Sequence, residues 1–99
     1  MMGPVEMRLR LARMVVQRLE RLSADSAWAH IASGYRGALI KRIDLLEHLP
    51  DPEAVDADEV IRLDFLIDKG LDLLAKAARE IGDPELLRFA SQPRPAGRT

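Results

Sequence analysis

Val60, Leu63, Ile67, Leu71, Leu74, Ala78 and Ile81 follow one another at steps of three or four residues. That spacing stacks side chains along one face of an α-helix and does not suit the two-residue alternation of a half-buried strand. Leu66, Gly70, Leu73 and Ala77 widen the face. Asp56 stands where an N-cap is wanted and Gly82 where a left-handed residue closes a helix, so the helix is expected between them. Asp83 and Pro84 then restart the chain as cap and first-turn residue of a short helix carrying Leu86, Leu87 and Phe89.

The same period appears twice upstream. Over residues 5–22, Val5, Leu9, Leu11, Ala12, Val15, Val16, Leu19 and Leu22 share one arc, with Glu6, Arg10, Arg13, Gln17, Glu20 and Arg21 opposite. Pro4 suits the first turn of that helix. A second helix is expected over about residues 24–48, capped by Ser23 with Asp25 in its first turn. Its stripe is Trp28, Ile31, Ala32, Tyr35, Ala38, Leu39, Leu45, Leu46 and Leu49. Pro50 and Pro52 end it, because proline lacks a donor and disfavours helical geometry in the residue before it.

No segment sustains a period of two, so the expected fold is all-α. Three long antiparallel helices form an up-down-up bundle, with a short C-terminal helix, within a single domain of residues 1–90. The proline-rich, basic segment 91–99 reads as a disordered tail. The apolar arcs of the first and third helices each span roughly 160°, more than the ~100° one core contact requires. Further cover is needed, from the fourth helix or from another subunit.

Composition narrows the functional classes. Lys plus Arg number 15 and Asp plus Glu 16, so no overall field attracts nucleic acid or an anionic membrane. The absence of cysteine removes disulfides, thiolate metal sites and cysteine nucleophiles, and fits a cytoplasmic location. No apolar run is long enough for a membrane span, and the arginines among the first apolar residues do not suit a secretory signal.

Functional hints in a patterned bundle lie at residues on the wrong face. Asp64, Asp68 and Asp72 are one turn apart, where like charges repel. Ile61 and Phe65 lie beside them, on a face that should be solvated. Either the fourth helix folds back over Phe65, or the patch binds a partner through apolar anchors among selecting charges. Arg42 falls within the second helix's apolar stripe, and an ion pair with Asp64 or Asp68 would satisfy it while relieving the acidic stripe. Met7, Met14 and Ile40 are isolated apolar residues on polar faces. Gly34 and Gly37, inside a helix, suggest a close helix approach or a dimer seam.

Catalytic chemistry finds little support. Carboxylate metal bundles need Glu-x-x-His pairs from several inward-facing helices, whereas here the nearest approach is Asp44 with His48. Asp44-x-x-Glu47 and Asp68-x-x-x-Asp72 are faintly similar to the acids that hold magnesium in helical nucleotide pyrophosphatases, but such spacings arise in any acidic helix and make no family match. No serine or histidine has a neighbour that marks it for nucleophilic or general-base work.

The expectation is therefore a non-enzymatic, cytoplasmic helical module without cofactor or metal, making protein contacts as a homodimer or with another protein. Ile61 and Phe65 would supply the buried area. Asp64, Asp68 and Asp72 would select a basic surface such as Arg10, Arg13 and Arg21 of another copy. The second expectation is a nucleic-acid-associated protein using the arginines of the first helix and the tail. A metal-dependent hydrolase of nucleotides comes third.

Overall fold

The structure, a computed structural model, describes residues 3–22 and 27–93. It contains α1 (Pro4–Glu20), α2 (Ala29–Glu47), α3 (Ala57–Ile81) and α4 (Pro84–Ala90), with one 3₁₀ turn, Pro52–Ala54, between α2 and α3. No strand occurs among the described residues.

The helix ends follow from local chemistry. The Asp56 carboxylate accepts from the Glu59 backbone N–H at 3.1 Å, and Asp83 accepts from those of Glu85 and Leu86, both at 3.1 Å. Each satisfies donors that the first helical turn leaves unpaired. Gly82, at φ 80°, closes α3 with its N–H on the Ala78 carbonyl at 2.8 Å. Only glycine takes that conformation without steric cost.

α2 departs from expectation at its start. It begins at Ala29, and Trp28, in the cap position, makes no side-chain cap bond. Ser23 and Asp25 lie outside the described residues. The buried face of α2 is Ala32, Leu39, Ile43 and Leu46, whereas Ile31, Leu45 and Leu49 are exposed. Ile31 and Leu45 each lie one residue, about 100° of helix rotation, from a buried neighbour. The expected stripe is thus wider on its flanks than the buried face and lacks Ile43.

α3 is the centre of the core. Leu63, Ile67, Leu71 and Leu74 are fully buried, as are Val15 and Ala12 of α1 and Leu39 of α2. α1, α2 and α3 each touch the other two, and α4 packs on α3. Leu86, Leu87 and Phe89 are partly buried against the core and Ala90 is buried, so α4 covers part of the wide α3 arc.

A carboxylate from the 3₁₀ turn closes the other end of the molecule. Glu53 accepts from the backbone N–H groups of Val5 (3.1 Å) and Glu6 (3.0 Å). It caps α1 where Gly3, the N-cap residue, has no side chain to offer. A Cβ at Gly3 would fall 2.3 Å from that carboxyl group.

The helical glycines divide into two kinds. A Cβ at Gly70 would sit 2.7 Å from Val15 Cγ1, so α1 and α3 approach closely there. At Gly34 or Gly37 a Cβ would meet nothing within 4 Å. Neither glycine serves internal packing, contrary to the close approach expected of them. Gly34→Ala and Gly37→Ala should therefore each raise stability by about 0.5–1 kcal/mol, read from urea midpoints at unchanged slope. A loss of stability at either position would show that the side chain meets something in the folded chain.

Candidate docking groove

The aspartates that stood out in the sequence face inward more than outward. Asp64 is only 8% exposed, and its Oδ1 accepts from Arg8 Nε at 2.7 Å. Arg8 also donates to the Pro4 carbonyl at 3.4 Å. Asp68 and Asp72 are half-buried, and both interact within the chain. The stripe is thus largely engaged by the fold and is not an open acidic surface.

Arg42 finds a different acid from the one expected. Its Nη1 donates to both oxygens of Glu59, at 2.9 and 3.2 Å. The reason is angular. Glu59 and Asp64 are five residues, about 140°, apart around α3, so one meets α2 and the other meets α1. The expected pairing of Arg42 with Asp64 or Asp68 is replaced by Arg42–Glu59 and Arg8–Asp64.

The arginine face of α1 is similarly divided. Arg13 forms an ion pair with Glu47, and the Arg18 guanidinium lies 4.7 Å over the Phe89 ring. Arg10 and Arg21 are exposed, and neither forms an ion pair among the described residues. Three of the five α1-region arginines, Arg8, Arg13 and Arg18, are thus engaged within the chain, while Arg10 and Arg21, two of the three expected to meet a second copy, stay exposed.

Ile61 and Phe65 remain open. They are 63% and 56% exposed. α4 does not cover Phe65, because it follows Gly82 at the far end of α3 and Phe89 is engaged with Arg18 on α1. Instead, Ile61 and Phe65 form one wall of a shallow groove of about 510 Å³ between α2 and α3. Ala38 and Leu66 contribute further apolar surface, and Lys41, Arg42 and Arg62 supply its charge. Lys69 Nζ lies 5.5 Å over the Phe65 ring, within reach of a cation–π contact.

No protein-family model, curated protein or solved structure matches this chain. The chemistry of the surface must carry the functional reading.

Lys41, Arg62 and Lys69 were not singled out from the sequence. Arg62 and Lys69 are three and four residues from Phe65, so helical neighbourhood alone could have joined them to it. Lys41 comes from α2 and reaches the groove only through tertiary packing. Met7, Met14 and Ile40 are exposed, as isolated apolar residues often are.

Among the described residues no three His, Asp or Glu side chains gather closely enough to hold a metal ion. His48 Nδ1 lies 2.7 Å from the Asp44 carbonyl and 3.4 Å from its carboxylate, within a single exposed turn. No helix among the described residues is long and apolar enough to cross a membrane.

Proposed function

We propose that this chain is a non-enzymatic helical module, a single domain built as an up-down-up bundle, that acts through protein contacts at the α2–α3 groove. The observation that carries the reading is the exposure of Ile61 and Phe65 side by side along a groove that α4 leaves uncovered. Single exposed apolar residues need no explanation, but a pair one turn apart at the lip of a depression is the usual form of an interface anchor. The up-down-up arrangement is supported by Arg13–Glu47 and Arg36–Glu20 between α1 and α2 and by Arg42–Glu59 and Trp28–Glu80 between α2 and α3, each set matching rising residue numbers on one helix with falling numbers on the next.

Self-association is the first form of this contact to test. Sedimentation equilibrium should be run on the wild type beside Phe65→Asp, at low and high salt. If the groove joins two copies, the substitution should weaken the dimer at least about thirtyfold, the effect of an interface residue contributing 2 kcal/mol or more. A dimer indifferent to Phe65→Asp would sink the assignment of this face. A wild type that stays monomeric throughout would assign the face to a different protein.

A further inference from the structure

We infer that the groove's occupant is an acidic amphipathic helix of a partner protein. The inference rests on the reading of the Ile61–Phe65 face as the contact surface and adds the chemistry of what binds there. Of the seven residues lining the groove, three are cations and none is an acid. Arg42 is answered by Glu59. Lys41 and Arg62 are exposed, and among the described residues neither forms an ion pair. Lys69 adds a further cation beside Phe65. Glu59 is thus taken up by Arg42, and Asp64 is turned to Arg8 on α1, so neither offsets Lys41 or Arg62.

The apolar and charged parts together specify the ligand. A helix laid along an apolar groove buries residues at i, i+3, i+4 and i+7, and its flanks meet the rim. Here the rim calls for Glu or Asp on those flanks, because complementary charge speeds encounter and opposite choices repel. A second copy docked by a two-fold axis would present the same basic patch to itself. A phosphate-rich ligand would satisfy the cations but has no need of Ile61 and Phe65. A lipid surface is met best by a protruding apolar tip, whereas this surface is concave.

A phage-displayed library of 18-residue helices tests the inference, with an apolar stripe kept constant and the charged positions randomised between Glu and Lys. It would be panned on the full chain, and the enriched peptides titrated by fluorescence anisotropy against wild type, Phe65→Ser and Lys41→Glu/Arg62→Glu. All substitutions are at exposed positions, and far-UV circular dichroism verifies that the variants remain helical. The expected result is an enriched pool dominated by Glu, with affinity falling at least tenfold on each variant. Enriched peptides that are neutral or basic yet depend on Phe65 would overturn the acidic assignment and leave the contact face intact. Peptides insensitive to Phe65→Ser, or no enrichment, would overturn both. Phe65-dependent binding to vesicles of phosphatidylserine and phosphatidylcholine, without peptide enrichment, would replace the protein partner by a membrane surface.

Discussion

Replacing Arg8, a cation that the helical period sets among the apolar residues of α1, by methionine is expected to destabilise the fold by about 3 kcal/mol. The cause is what the substitution leaves behind. Asp64 is 8% exposed, and Arg8 donates to it at 2.7 Å. Without that donor the carboxylate is desolvated and uncompensated, and this penalty exceeds the net worth of the pair itself. Arg8→Met/Asp64→Leu removes both charges and keeps apolar bulk, so it should recover at least half of the loss. Urea unfolding of the two single variants and the double variant provides the coupling energy. A loss below about 1 kcal/mol for Arg8→Met would show that water reaches the aspartate and that the pair behaves as a surface bridge.

Gly70→Leu should be as damaging for the opposite reason. Leucine favours helix over glycine by up to about 1 kcal/mol, so any loss must be steric. Already at the Cβ the added side chain falls 2.7 Å from Val15 Cγ1, and Val15 is fully buried and stiff about χ1. The rest of the leucine would have to open the α1–α3 contact. Overpacking of this kind costs about 1–3 kcal/mol for a few methylenes, and a whole isobutyl group belongs at the upper end. Gly70→Ala should cost about 1 kcal/mol, and Val15→Ala should relieve part of either loss. Thermal melts of the six combinations would show the coupling, and simple additivity would mean that the two helices separate without resistance.

These two sites show what could be read in the sequence and what could not. The limits of α3 and α4 were legible because Asp56, Gly82, Asp83 and Pro84 act through bonds within a few residues of themselves. The side of α3 that carries Ile61 and Phe65 was equally legible, since helical period alone sets it, but whether α4 covers Phe65 was not. The partner of Asp64 was not. Arg8 and Arg42 are both cations at plausible distances along the chain, and the choice depends on which helix lies on which side of α3. Gly70 lies on the buried face expected of it, yet its tight approach to Val15 was not legible, and Gly34 and Gly37 do not make the internal approach that was one of the two alternatives for them, because a glycine looks the same in sequence whether it faces Val15 or solvent. The groove's basic rim needs α2 and α3 together, whereas the acidic stripe follows from one helix alone.

The carboxylate of Glu53 has a bearing on the order in which the chain assembles. It is 48 residues from the Val5 N–H that it accepts, so the first turn of α1 gains its cap only once the α2–α3 connection has arrived beside it. Helix nucleation is unfavourable on its own, and loop closure across that span must precede the reward. The amino-terminal turn of α1 is thus expected to become fixed late, which pulse-labelled hydrogen exchange at the Val5 and Glu6 amides would test. Its amide protons would report completion of the whole topology, and not the local preference of the segment that carries them.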